Sequence, residues 1–134
     1  MCFLDAHSGY HQIKMAESDK AATAFITPYD PFCFNTMPFG LKNAGATYQR
    51  MIQTSLEKQI DKTIEAYVDD VVVKTKHADS LIDDLRLTFD NLRTYDIKLN
   101  PEKCIFGVPA RKLLGFIVSS RGIEANPAKI QALS

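Results

Sequence analysis

Between Asn43 and about Ile60 the apolar positions fall four apart, at Tyr48, Ile52, Leu56 and Ile60 with Met51 beside them, which is the stripe of an amphipathic helix. Asn43 supplies a cap for its first turn. Helical spacing returns at Leu81, Ile82, Leu85, Phe89 and Leu92, with Asp79 as the cap and an end near Tyr95. Elsewhere the period shortens. Residues 2 to 40 read as mostly strand, in short pieces broken at Ser8-Gly9 and Tyr29-Asp30-Pro31, with Thr23, Phe25 and Thr27 alternating as in a half-buried strand. Residues 63 to 75 form two β-rich runs around Asp69-Asp70, a hairpin that turns at the acids. Past Asn100-Pro101, Cys104-Ile105-Phe106 and Leu113 to Val118 predict two more strands, Ser119 to Gly122 a turn, and Asn126-Pro127 the opening of another helix. This order predicts an α+β fold: an antiparallel sheet covered on one face by two helices, its other face open.

Composition narrows the class. The chain has 134 residues, 46% hydrophobic and 24% charged, which is ordinary for one water-soluble domain. Sixteen basic residues balance sixteen acidic ones, so no overall electrostatic pull toward nucleic acid or anionic membrane exists and any such role must be local. Three cysteines without a close pair, Cys2, Cys33 and Cys104, argue against a disulfide framework or a cysteine zinc site and for a reducing compartment. No apolar run approaches a membrane span, and Asp5, His7, His11 and Glu17 stand where a signal peptide needs an apolar core. The expectation is an intracellular protein, cytoplasmic or nuclear, not secreted.

Asp69 and Asp70 are the only charges between Ala66-Tyr67-Val68 and Val71-Val72-Val73. Two adjacent carboxylates among apolar neighbours must stay solvated at a turn, be protonated, or meet a cation. A plain solvated turn satisfies the chemistry of the pair alone. Asp5 ends a second apolar run, where it could equally cap a helix. If its strand lies beside the hairpin, three carboxylates converge at one sheet edge, an oxygen-rich set suited to hard divalent ions. Two Mg²⁺ held so can drive phosphoryl transfer. Because neighbours in a strand face opposite sides, Asp69 and Asp70 should not be equal ligands, and Asp69 is expected to be the shared one. His7, His11 and His77 have no metal-ligand spacing and read as solvated or structural.

Five strings carry a resemblance: Phe3 to Ile13, Met37 to Ala44, Tyr67-Val68-Asp69-Asp70, Leu99 to Cys104, and Leu114-Gly115-Phe116. In order and spacing they resemble the palm motifs of reverse transcriptases, nearest in look to gypsy-type long-terminal-repeat retrotransposons, over residues 3 to 118. The resemblance implies a right-hand polymerase palm, partial in extent, and an RNA-directed DNA polymerase. It implies nucleotidyl transfer from a deoxynucleoside triphosphate to a primer 3′-hydroxyl on an RNA or DNA template. It also implies two Mg²⁺ (Mn²⁺ as substitute) on Asp5, Asp69 and Asp70. Tyr10 matches an aromatic steric gate, though it could be a half-buried core tyrosine. Phe39 and Gly40 match the loop beside the incoming nucleotide, with phenylalanine where retroviral relatives carry glutamine. Gln49 matches the template-facing helix, or lies simply on its polar side. Lys103 matches a lysine region proposed to protonate pyrophosphate, or is a solvated surface lysine. Leu114, Gly115 and Phe116 resemble the primer grip, although apolar strand residues need no such role.

Two departures bear on activity. Gly45 stands where many relatives have proline, which loosens the start of the template-facing helix. The single domain, residues 1–134, is expected to lack the fingers that precede Asp5 and the thumb that follows about residue 125, with ribonuclease H and the rest of a polyprotein elsewhere. A second reading is therefore a catalytically inactive palm remnant of a degenerate retrotransposon, at most a weak RNA- or protein-binding module.

Overall fold

The computed structural model describes residues 1–67, 70–113, 116–119 and 122–125. At its centre is an antiparallel sheet of three strands, β1 (Cys2–Asp5), β4 (Ile64–Tyr67) and β5 (Asp70–Val73), in the order β1-β5-β4. Tyr67 is paired with Asp70 and Ile64 with Val73, so the two β-rich runs form the hairpin their sequence predicts. The period of two sorts the side chains. Cys2, Leu4, Ile64, Val71 and Val73 join one buried cluster, whereas Phe3 and Val72 form a second on the opposite face.

Two long helices cover the first face. Helix α2 (Ala44–Leu56) buries Ala44, Tyr48, Ile52, Ser55 and Leu56, and α3 (Leu81–Thr94) buries Leu85, Thr88 and Leu92. Asn43 occupies the cap position of α2 without a side-chain cap bond. The helix ends at Leu56, short of Ile60, which pairs with Ile64 instead. Ser80, not Asp79, precedes α3, because residues 78 to 80 form a 3₁₀ turn in which the Ser80 hydroxyl donates to His77 O at 2.9 Å. Ile82 is exposed, on the outer side of the helix. The C-terminus of α3 closes by a Schellman pattern: Asp96 is left-handed (φ 53), its N–H donates to Arg93 O at 3.0 Å, and Ile97 N–H donates to Leu92 O at 2.9 Å. Ile97 and Leu92 are both buried there.

Residues 6 to 43 depart from the expected strands. Beyond β1 they hold 3₁₀ turns at Gly9–Gln12 and Ala21–Thr23, a single-turn helix α1 (Glu17–Lys20), and a two-stranded ribbon of β2 (Phe25–Ile26) and β3 (Pro31–Phe32). The alternation of Thr23, Phe25 and Thr27 spans too few residues to fix a strand. Thr23 Oγ1 instead donates to Lys20 O at 2.6 Å, closing the helical turn.

The expected single strand from Leu113 to Val118 is also two strands. β6 (Ala110–Leu113) and β7 (Phe116–Ser119) pair antiparallel, and β8 (Gly122–Ala125) adds to β7 across the turn expected after Ser119. Residues 114, 115 and 120, 121 lie outside the described residues, as does the expected helix at Asn126-Pro127. This third sheet corrects the expectation of an open second face. Val118 and Val108 pack on Phe3 and Val72, and the Arg111 guanidinium stands 5.4 Å from the centre of the Phe3 ring. The sheet is thus clad on both faces over Phe3 and Val72. All three cysteines are free, and among the described residues no helix is long and apolar enough to cross a membrane.

Candidate active site

Asp5 and Asp70 are register partners across β1 and β5. Their backbone polarity follows from the other edge of β1. Phe3 exchanges hydrogen bonds with Ile105 at 2.8 Å in each direction, and by the period of two Asp5 turns its own N–H and C=O to the same edge. There Asn100 N–H donates to Asp5 O at 2.8 Å, and Asp5 N–H donates to Cys104 Sγ at 3.5 Å. Asp5 and Asp70 are therefore a non-hydrogen-bonded pair, the type with Cα atoms about 4.5 Å apart and the closer side chains. Both are half-buried and lie on the face of Phe3 and Val72, one step along from the part that the third sheet covers.

Like charges placed directly opposite destabilise a sheet unless something compensates them. The donor set is hard oxygen, which fits a divalent cation such as Mg²⁺. Among the described residues no group of three or more His, Cys, Asp or Glu side chains converges to hold an ion; Asp69, the third expected ligand, lies outside the described residues, so its expected place as shared ligand does too.

The chain turns sharply after β1. Ser8 is left-handed (φ 48), and Gly9–Gln12 make one 3₁₀ turn. Tyr10 on that turn lies between two aromatic rings: its ring centre is 5.2 Å from that of Phe39 and 5.5 Å from that of Tyr48. Tyr48 is fully buried and Phe39 is 70% exposed, so Tyr10 links the core to an aromatic face open to solvent. His11 adds an edge contact to Phe39 at 5.3 Å. Gly40, at φ +92, holds a backbone conformation that side chains resist. Tyr10 and Phe39, which come from two separate sequence strings, thus meet in space.

The remaining candidates are placed individually. Gln49 is exposed on α2. Lys103 is exposed in the turn from Asn100 to Cys104, the same turn that bonds the Asp5 main chain. Phe116 begins β7 and is half exposed; Leu114 and Gly115 lie outside the described residues. His7, His11 and His77 are exposed.

Three supporting residues escaped sequence reasoning. Gln12 fastens the Tyr10 turn to the neighbouring segment: its Nε2 donates to Lys98 O at 2.9 Å and to His7 O, and its Oε1 accepts from Lys98 N–H at 2.7 Å. Gly9 presses on Tyr48 so closely that an added Cβ would lie 2.6 Å from the ring. Cys104 reaches the main chain of Asp5. Each sat inside a quoted string, but no periodicity distinguishes a tertiary contact from its neighbours.

Comparison with known proteins gives the family and the fold. Residues 1–118 match the family model described as reverse transcriptase (RNA-dependent DNA polymerase). The chain is 42% identical over 131 residues to the retrovirus-related Pol polyprotein from transposon opus of Drosophila melanogaster, covering 98% of this chain and 13% of that protein. It is 35% identical over 130 residues to the corresponding polyprotein from transposon gypsy of the same organism, covering 97% and 13%. The chain thus spans about an eighth of the length of these relatives. Among solved structures, the foamy viral protease-reverse transcriptase in complex with an RNA/DNA hybrid superposes with a TM-score of 0.85 at 20% identity, over 99% of this chain and 18% of that one. The same viral protein with double-stranded DNA also gives 0.85, at 21% identity, over 99% and 24%.

Proposed function

Because this chain belongs to the reverse transcriptase family, with gypsy-family Pol polyproteins among its relatives, we propose that it is the metal-binding palm portion of an RNA-directed DNA polymerase. The observation that carries this reading is the Asp5–Asp70 pair: two half-buried carboxylates in register, non-hydrogen-bonded, at one end of the central sheet. A divalent cation there would offset like-charge repulsion across the pair.

In this reading Asp5 and Asp70 hold divalent metal together with Asp69. Bound Mg²⁺ would lower the cost of forming the attacking 3′-alkoxide and of releasing pyrophosphate. The protein's own share is positioning. The β1–β5 ladder fixes Asp5 and Asp70 against each other. Tyr10, braced from behind by Tyr48, presents its ring with Phe39 to the sugar of an incoming deoxynucleoside triphosphate, where a 2′-hydroxyl would collide. Gly40 lets the backbone approach the nucleotide. Lys103 supplies a cation, and a proton, to developing negative charge on the leaving group. Gln49 faces the template, and Leu114, Gly115 and Phe116 seat the primer end. The solved viral relatives hold an RNA/DNA hybrid or double-stranded DNA, which supports a primed template as partner. Fingers, thumb and ribonuclease H belong, in this reading, to the remainder of a Pol polyprotein.

The test is primer extension on an RNA template with Mg²⁺ or Mn²⁺, comparing the wild type with Asp69→Asn and Asp5→Asn. Extension that both substitutions abolish is the expected result. Extension untouched by either would overturn the assignment of the acids.

A further inference from the structure

We propose that Cys104 is a positioning residue for Asp5, its thiol holding the main chain from which the carboxylate projects. The inference deepens the reading of Asp5 as a metal ligand and rests on it. Its origin is a mismatch in the ladder between β1 and residues 99 to 105. Phe3 is bridged to Ile105 and Ala6 to Leu99. Three steps along β1 therefore face six along the neighbouring segment, so Asn100 to Cys104 must leave the ladder as a turn. That turn is self-supporting: Glu102 N–H donates to Asn100 Oδ1 at 3.2 Å, and the N–H groups of Lys103 and Cys104 donate to Asn100 O at 3.2 and 3.1 Å.

A turn bulging from the ladder takes away the regular partner of the strand N–H that faces it, and here that N–H belongs to Asp5. An unpaired N–H at a half-buried position is costly. Asn100 N–H satisfies the Asp5 carbonyl at 2.8 Å. Among the described residues the acceptor for the Asp5 N–H is the Cys104 Sγ, at 3.5 Å, which also lies 4.0 Å from the Asp5 carbonyl oxygen. Sulfur suits both demands of the place: it packs against the helix-side core and still accepts a hydrogen bond. Removing it frees the peptide preceding the Asp5 side chain to rotate, and the Asp5–Asp70 geometry loosens with it. Groups that orient a metal ligand without touching the metal are commonly worth tenfold or more in metal affinity.

The experiment measures Mn²⁺ binding to the chain by electron paramagnetic resonance, with amide exchange at Asp5 by NMR, for wild type, Cys104→Ala, Cys104→Ser and Asp5→Asn. We expect Cys104→Ala to weaken Mn²⁺ about tenfold and to speed exchange of the Asp5 amide, with little change in melting temperature. Cys104→Ser, which restores an acceptor, should recover most of both. Wild-type affinity in Cys104→Ala, with affinity lost in Asp5→Asn, would overturn the role of Cys104 and leave the metal reading standing. Unaltered affinity in Asp5→Asn, or no Mn²⁺ binding by the wild type, would overturn both. Should Cys104→Ala fail to fold, the wild type alone decides: an Asp5 amide exchanging as fast as an exposed one refutes the proposal.

Discussion

Adding one methyl group at either of two glycines should move stability in opposite directions. At Gly9 the new Cβ would lie 2.6, 2.8 and 3.0 Å from Tyr48 Cε2, Cζ and Oη, where carbon atoms settle at about 3.5–4.0 Å. The ring must therefore retreat by roughly 1 Å. It has nowhere to go, because Tyr48 is fully buried and Tyr10 packs against it at 5.5 Å. Overpacking of this kind costs about 1–3 kcal/mol. Gly9 is outside the left-handed region, so alanine suffers no backbone strain and gains about 0.4–1 kcal/mol by restricting the unfolded chain. The net for Gly9→Ala is a loss of about 1–2 kcal/mol. At roughly 0.28 kcal/mol per degree for a chain this long, the melting temperature should fall by about 4–7 °C. Gly45, in the first turn of α2, is the control. A Cβ there meets Tyr10 Oη at 3.6 Å, an ordinary contact, and Gly45→Ala should gain about 0.5–1 kcal/mol. Thermal melts followed by circular dichroism decide the matter. A Gly9→Ala variant as stable as wild type, or more so, would show that the Tyr48 ring yields and that it does not brace Tyr10.

Other perturbations test other parts. Gln59 is 2% exposed and its carboxamide donates to Thr88 Oγ1 at 3.1 Å and Asp84 O at 3.3 Å while accepting from Asn91 at 2.8 Å; Gln59→Leu should cost about 2–4 kcal/mol in urea unfolding, through lost bonds and stranded partners. Asp96 takes the left-handed position that closes α3, with its charge at the negative end of the helix dipole; Asp96→Gly should stabilise by about 1 kcal/mol, read as a rise in melting temperature. If Tyr10 guards the sugar, Tyr10→Ala should narrow the preference for deoxynucleotides over ribonucleotides at least tenfold in single-nucleotide incorporation. Unchanged discrimination would return Tyr10 to a packing role.

What sequence pattern could reveal depended on the length of the repeat. Tyr48, Ile52 and Leu56 repeat over enough turns to specify α2, and the valines after Asp70 leave few alternatives to a strand, so the central layer and the meeting of Asp5 with Asp70 were legible. Residues 14 to 40 were not. Their elements are two to four residues long, too short for a period of two or 3.6 to repeat, and side-chain bonds such as Thr23 to Lys20 decide them. The run from Leu113 to Val118 misled for a different reason: β6 and β7 pair with each other, yet no polar residue stands in that run to mark the break between them. Gln59 and Cys104 were illegible because their roles depend on partners 29 and 99 positions away.

The alternation in β1 also decides where the chain tolerates a change of length. Cys2 and Leu4 face the helices, while Phe3 faces the third sheet and Asp5 shares its side of the strand one step beyond that cover. One residue inserted or deleted between Asn100 and Cys104 alters only an excursion the ladder already permits. Within Cys2 to Asp5 or Asp70 to Val73 the same event slips the register by one and exchanges the faces, driving carboxylates into the helix-side core and its valines out of it. Point substitutions in these strands have graded costs; insertions and deletions have a threshold, and the two four-residue stretches are rigid in length even where individual side chains can be exchanged.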